Sequence, residues 1–164
     1  MIEIPDMDLA CIAPNAKEIT MKYYGGQERK VYVVDEEVPY PTGRLIVSRT
    51  NPEGVITQAN KAFVDISGYE RDELIGMPHC VLRHPDVPSA IFKDMWDHIK
   101  ANKPWYGYVK NLCKDGRYYW VYASVNATYV DGELKAVTSV RRKPSREKVE
   151  ETIELIKRLN AENA

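Results

Sequence analysis

The chain has 164 residues, of which 44% are hydrophobic and 29% charged, and its formal net charge is -1. This balance is typical of one globular domain with extensions, and it gives no global attraction to nucleic acid or to a membrane surface. No apolar run reaches the roughly 20 residues of a membrane span, and the N-terminal residues lack the apolar stretch of a secretory signal. Three widely spaced cysteines without metal-site spacing are typical of a reducing compartment. We therefore expect a cytoplasmic protein.

Residues 1–43 have an irregular pattern and are predicted to be an N-terminal extension. Two β-rich stretches, residues 18–24 and 30–34, are separated by Gly25 and Gly26, which predicts a hairpin. Prolines and a glycine between residues 39 and 43 then mark a break before the main domain.

From residue 44 the predicted elements follow in a clear order. Strands are expected over residues 45–50 and 55–59, joined by a turn at 51–54. Short helices are expected over 60–67 and 70–75, each followed by a glycine, and a longer helix runs from about 88 to 100 with one apolar face.

Three more strands are predicted after the long helix, over residues 105–113, 117–130 and 134–140. Asp-Gly pairs at 115–116 and 131–132 are strong hairpin signals between them. The order predicts an α+β fold in which short helices and one longer helix pack on one face of a five-stranded antiparallel sheet.

Residues 144–164 are predicted to form a C-terminal connector helix outside the main domain, which spans residues 44–143. Its apolar stripe is Val149, Ile153, Ile156 and Leu159. A helix of this length is marginal alone in water, so the stripe requires an apolar partner. The N-terminal segment, a second protomer and a separate transducer protein all remain open as that partner.

Most catalytic and metal sites are disfavoured by the pattern. His79 and His84 are five residues apart, and no HExxH, CxxC or paired-carboxylate motif accompanies them. A Gly-x-Ser-x-Gly elbow and a glycine-rich phosphate loop are also missing, and Cys80 has no orienting third group. We expect a binding domain rather than an enzyme.

The segment from Pro78 to Pro88 carries the strongest chemical signal. It holds two histidines, Arg83 and Asp86 between prolines, in a stretch too short for a long helix. Such a mixture fits fixed polar groups that face a polar, anionic ligand, because arginine suits phosphates and ring carbonyls. The alternative for Asp86 is a helix cap, and for Arg83 a surface charge.

Two adjacent strands predict the floor of a pocket for a planar ligand. Asn111 shares a strand face with Gly107, and a glycine in a strand interior indicates a close approach. On the next strand Tyr119 and the small Ala123 share one face. Asn111 is either a satisfied core amide or an amide that reads the edge of a heterocycle.

Three groups of motifs lie between residues 45 and 142: the strand-to-helix region, the histidine-arginine segment with the long helix, and the sheet motifs. They are Ala59-Asn60, Phe63, Ser67-Gly68-Tyr69 and Glu73-Leu74-Ile75-Gly76; then Pro78-His79, Arg83-His84-Pro85-Asp86, Phe92 and Asp94-Met95-Trp96; then Pro104-Trp105, Val109-Lys110-Asn111, Lys114-Asp115-Gly116 and Tyr119-Trp120-Val121. With these motifs the chain resembles PAS domains of the bacterial aerotaxis-receptor type over residues 45–142.

The resemblance implies a cytoplasmic sensor of redox state or oxygen that binds FAD non-covalently and signals by protein contact. It implies that the cofactor-binding residues are Asn60, Arg83, His84, Asp86, Trp96, Asn111 and Tyr119. Arg83 and His84 would meet the polar part of the cofactor, Asn111 the edge of its ring, and Trp96 would form a wall. The implied partner is a signalling transducer or receptor protein, and the N-terminal extension and C-terminal helix are candidates for homodimer contacts.

Several alternatives stay open at this stage. A haem-binding PAS oxygen sensor and a small flavin-dependent reductase would share much of the pattern. Cys80 replaces the Asn that many relatives carry after the Pro-His pair, and it lies near the position of the reactive cysteine of blue-light LOV domains. The surrounding Asn-Cys-Arg-Phe motif of those domains is missing, so we expect no photochemistry.

Overall fold

The computed structural model describes residues 3–23 and 26–162. The N-terminal part forms an antiparallel hairpin from β1 (Lys17–Lys22) and β2 (Glu28–Val33), which confirms the predicted hairpin. Tyr24, the last residue of the first predicted stretch, and Gly25 of the predicted turn lie outside the described residues. The buried Arg29 attaches this hairpin to the rest of the molecule, because its guanidinium donates to the carbonyls of Pro5 and Val81 at 2.7 and 3.0 Å.

A five-stranded antiparallel sheet forms the centre of the fold. Its strands are β3 (Ile46–Thr50), β4 (Ile56–Ala59), β5 (Trp105–Leu112), β6 (Tyr118–Val130) and β7 (Glu133–Arg142). They lie in the order β4-β3-β7-β6-β5, so the first and third hairpins of the domain meet through β3 and β7. The predicted α+β fold and its five-stranded sheet are confirmed.

The helices between β4 and β5 are short for identifiable reasons. In α1 (Lys61–Ser67) the side chain of Asn60 caps the first turn, and Gly68 ends the helix with a left-handed φ of 79°. A reciprocal capping box of Glu70 and Glu73 opens α2 (Arg71–Leu74). A single 3-10 turn follows over His79–Leu82 before α3 (Ser89–Lys100).

Alternation along the strands sets which residues face the helices. Tyr119, Val121, Ala123 and Val125 of β6 point inward, because successive strand residues point to opposite faces. The main core packs these side chains against Phe63, Leu74, Leu82 and Ile99. A cavity remains between this sheet face, the 3-10 turn and α3.

The last helix, α4 (Arg146–Glu162), packs on a different surface from α1 to α3. Its buried Val149 and Ile156 contact Trp120 and Val87, and Trp120 points to the opposite side of β6 from Tyr119. Asn160 also donates to the carbonyl of Asp86 at 3.1 Å. The apolar stripe of the helix therefore finds its partner within the same chain.

Candidate ligand-binding cavity

The cavity has a volume of about 260 Å³ and combines apolar walls with a few polar groups. Its walls include Phe92, Met95, Trp96 and Ile99 of α3 and the inward residues Val109, Val121, Ala123 and Val125 of the sheet. Ligand sites of small molecules start near 300 Å³. A space of this size thus suits a ring system rather than a whole dinucleotide, whose remainder would lie outside.

A polar cluster of the buried Ser48 and Arg141 with the half-buried His79 lines one part of the cavity. The Arg141 guanidinium donates from Nη2 to Ser48 Oγ at 2.7 Å and from Nη1 to His79 Nε2 at 3.1 Å. The Ser48 hydroxyl lies 3.4 Å from the same His79 nitrogen. Ser48 lies on β3, Arg141 on β7 and His79 in the 3-10 turn that follows Pro78. The pairing of β3 with β7 brings the first two side chains together.

The contacts of His79 fix its proton arrangement. Arginine can only donate, so Nε2 of His79 accepts and Nδ1 carries the proton. Burial, together with the positive charges of Arg141 and Arg83, lowers the pKa of His79 to about 3. His79 is therefore neutral at physiological pH, and the charge of the cluster is that of Arg141.

Arg141 is 2% exposed and makes no ion pair among the described residues. Its Nε has no hydrogen-bond partner in the described part of the chain, and its guanidinium carbon lies 4.6 Å from the centre of the Phe63 ring. A buried charge without a partner is costly. The unused donors of Arg141 thus fit a ligand that brings an electron-rich or anionic group.

Arg83 and Asn111 meet at the free edge of the sheet. Their backbones form an antiparallel bridge, and both side chains line the cavity. The Arg83 guanidinium stacks 4.0 Å from the centre of the Phe92 ring, and burial lowers its pKa from the ordinary value. Trp96, the third predicted residue in the cavity, belongs to its apolar wall.

His84 and Asp86 do not line the cavity. Arg83 has an extended backbone along β5, so the next side chain points the opposite way. The His84 ring is buried against the edge of the Tyr118 ring, and its Nδ1 accepts from the Asp86 N–H at 3.1 Å. The Asp86 carboxylate pairs with Lys110 at 2.9 Å. The carbonyl of Asp86 accepts a hydrogen bond from Asn160 of α4 instead.

Asn60 and Tyr119 also lie outside the cavity lining. The amide of Asn60 is used within the fold, since its oxygen accepts from the N–H groups of Phe63 and Val47 and its nitrogen donates to Leu45. Tyr119 is fully buried within reach of Asn111, but its hydroxyl has no hydrogen bond of good geometry among the described residues. Burial raises the pKa of this hydroxyl.

Gly107 has a different role from the predicted one. The group that approaches its backbone is the indole of Trp105, two residues earlier on the same strand. The indole Nε1 donates to Asp94 Oδ2 at 3.0 Å, which holds the ring along the strand. The glycine therefore makes room for a core side chain, and its presence is not an indication of a bound ligand.

Sequence reasoning missed several residues of the cavity. Ser48, Ser139 and Arg141 were not recognised, although counting by two from the buried Val137 gives both β7 positions. A charged residue at an inward strand position was the available signal for Arg141. Tyr23 and Gln27, which flank the hairpin turn, also line the cavity. No local sequence pattern predicts that they do.

Within residues 3–23 and 26–162, no three His, Cys, Asp or Glu side chains gather closely enough to hold a metal ion. None of the helices in that part of the chain combines the length and apolarity required to cross a bilayer.

Comparison with known proteins agrees with this fold. A family profile described as "PAS fold" matches residues 56–141. The aerotaxis receptor of Escherichia coli is 39% identical over 130 residues, which cover 79% of this chain and 26% of the receptor. The biofilm dispersion protein BdlA of Pseudomonas aeruginosa is 32% identical over 92 residues, covering 56% of this chain and 22% of that protein.

A solved light-oxygen-voltage domain, studied with a flavin analogue, superposes with a TM-score of 0.58 at 20% identity, over 73% of this chain and 86% of that one. At this identity the likeness concerns the fold. The chain belongs to the PAS family. It spans about a quarter of the length of the two curated relatives, whose names are those of a receptor and a dispersion protein, and it is a PAS domain of the aerotaxis-receptor type.

Proposed function

We propose that the chain is a cytoplasmic redox or oxygen sensor that binds FAD in the cavity and signals by contact with a transducer protein. The observation that carries the proposal is a pair of arginines beside aromatic walls, the half-buried Arg83 and the buried Arg141. Of the described residues that line the cavity, Glu53 is the one carboxylate, and it is exposed. Two cations without a buried anion favour an electron-rich planar ligand.

The residues that would hold FAD are Arg83, Asn111 and Trp96, together with Arg141. Bound FAD would supply reversible uptake of electrons, with a change of charge and hydrogen bonding at its ring nitrogens. The Asn111 side-chain amide can rotate in response to such a change, because rotation exchanges the positions of its hydrogen-bond donor and acceptor. Its backbone bridge to Arg83 would pass the shift to the segment that reaches His84 and Asp86.

That segment offers a route for the signal out of the cavity. The side chain of Arg83 is inside, whereas the carbonyl of Asp86 accepts a hydrogen bond from Asn160 of α4. Four consecutive residues therefore connect the cavity with the last helix. We propose that a redox-dependent shift of this segment changes the position of α4, which a transducer or a second copy of the chain would read.

The first test is the visible spectrum of the freshly purified protein, followed by titration of apoprotein with FAD. A flavin spectrum and saturable uptake are expected. An intense Soret band would instead identify a haem protein, and a colourless protein that takes up neither cofactor would overturn the proposal.

Substitutions then assign the site. Arg83→Ala should weaken FAD binding by about 1.5–3 kcal/mol, because a hydrogen bond to a charged group is lost. Arg158→Ala, on the exposed side of α4, is the matched control and should bind FAD like the wild type. Equal affinities of the two variants, with both folded, would remove Arg83 from the site.

A further inference from the structure

Arg141 differs from Arg83 in how firmly it is held. Two hydrogen bonds, to Ser48 Oγ at 2.7 Å and to His79 Nε2 at 3.1 Å, orient its guanidinium. The Phe63 ring lies against its guanidinium carbon at 4.6 Å. A charge fixed in this way requires little reorganisation when a ligand's charge changes.

No group within the described residues neutralises this charge. The two partners of Arg141 are a hydroxyl and a neutral imidazole, and its Nε–H remains unpaired. At 2% exposure, solvent screens the guanidinium poorly. Any negative charge that develops on a ligand in the cavity is therefore stabilised more than in water.

Reduction of a flavin is a reaction that develops such a charge. Addition of two electrons and one proton to the neutral oxidised ring leaves one negative charge on it. A site that binds the reduced form tenfold more tightly than the oxidised form raises the midpoint potential by about 30 mV for a two-electron couple.

We propose that Arg141, positioned by Ser48 and His79, sets the redox potential of the bound flavin by favouring its reduced, anionic form. This inference rests on the proposed function. It assigns to Arg141 a tuning role, in addition to the binding role of Arg83, and it makes the Ser48-His79-Arg141 cluster the part of the site that determines which redox range the sensor reports.

The test is a redox titration of the FAD-loaded protein at fixed pH, with reduced mediator dyes as electron donors. Arg141→Gln removes the charge and keeps a polar side chain, whereas Arg141→Lys keeps the charge. The matched control is Arg142→Gln, since Arg142 is the next residue of β7 and is exposed. We expect the potential to fall by at least about 30 mV in Arg141→Gln, a tenfold loss of preference for the reduced form, and to change much less in Arg141→Lys.

An Arg141→Gln protein that binds FAD at the wild-type potential would overturn the inference and leave the proposed function intact. A wild-type protein that takes up no FAD would overturn both. If Arg141→Gln does not fold, the redox potential of Ser48→Ala tests the inference instead. In that variant the Arg141 guanidinium loses the acceptor that lies 2.7 Å from its Nη2, and the potential should also fall. An unchanged potential in Ser48→Ala would then count against the assignment.

Discussion

The indole of Trp105 lies directly over Gly107, so close that an added Cβ at Gly107 would sit 2.4 Å from Trp105 Cη2. Nonbonded carbon atoms in folded proteins essentially never approach each other so closely. The sequence pair Trp-x-Gly is thus one packing unit, in which the glycine exists because of the tryptophan.

Gly107→Ala is expected to destabilise the protein by about 1–3 kcal/mol, since the indole must leave its place in a packed core. Urea unfolding measures this free energy. The same substitution in a Trp105→Leu background should cost much less, because the colliding ring is gone. An equal cost in both backgrounds would show that the two residues do not interact.

Acid should destabilise the fold below about pH 6.5. The pKa of His79 is lowered to about 3 and that of His84 to about 4, in both cases mainly by burial. Arg141 and Arg83 act on His79, and Lys110 acts on His84 against the opposing effect of Asp86. Each histidine binds its proton more readily in the unfolded chain. The contribution of the two neutral histidines to the free energy of unfolding is therefore complete above pH 6.5, and it is lost as the pH falls toward 4 and 3.

Unfolding free energies measured between pH 7 and 4.5 check this expectation. Each histidine contributes a slope of up to about 1.4 kcal/mol per pH unit inside its window. His79→Gln should flatten the profile by up to that amount, although its stability at pH 7 will also change with the lost Arg141 contact. A slope identical to that of the wild type would contradict the neutral state of His79 in the folded protein.

The docked position of α4 can be tested at its buried face. Val149→Asp should release the helix from Trp120, because a carboxylate would enter an apolar contact. Faster amide hydrogen exchange across α4 and altered Trp120 fluorescence are the expected signs. Leu155→Asp is the control, since Leu155 is 42% exposed. Similar exchange in both variants would mean that the helix is not docked in solution.

Removal of residues 145–164 addresses the role of the same helix. Flavin content should stay nearly intact, because α4 contributes no residue to the cavity lining. Association with a partner or with a second copy should weaken. Loss of flavin with unchanged association would instead make the helix part of the sensor.

Cys80 is expected to form no light-induced adduct, although it lines the cavity. Burial raises the pKa of its thiol, and the sequence motif of light-sensing relatives is missing. Blue light should leave the flavin absorption unchanged apart from slow bleaching. A long-lived, reversible loss of absorption that disappears in Cys80→Ser would contradict this expectation.

The sequence was a good guide wherever local rules decide the outcome. Strand alternation, the Asp-Gly turns and the helix-ending Gly68 and Gly76 identified the elements and their order. The cavity was partly predictable for the same reason, because Arg83 and Asn111 stand in segments whose pattern is unusual. Their backbone bridge makes them neighbours, which no local rule could show.

The remaining site residues depend on contacts between distant parts of the chain. Arg141 meets Ser48 because β7 pairs with β3, a relation across 93 positions. His84 and Asp86 were grouped with Arg83 by sequence proximity, yet an extended backbone sends adjacent side chains to opposite sides. Asn60 was assigned by resemblance, whereas its amide closes a strand-to-helix junction.

The pairing of residues 34–38 with the beginning of β6 has a practical consequence. The Val38 N–H donates to Tyr118 O at 2.7 Å, the Tyr118 N–H donates to Glu36 O at 3.1 Å, and Glu37 bridges Tyr118 in parallel. A shortened chain that begins at residue 44 would uncover this strand, although the family match starts later still. Uncovered strands pair with other chains. Oligomers of such a fragment would therefore be artefacts of the cut, and stoichiometry is best measured on protein that retains residues 34–38.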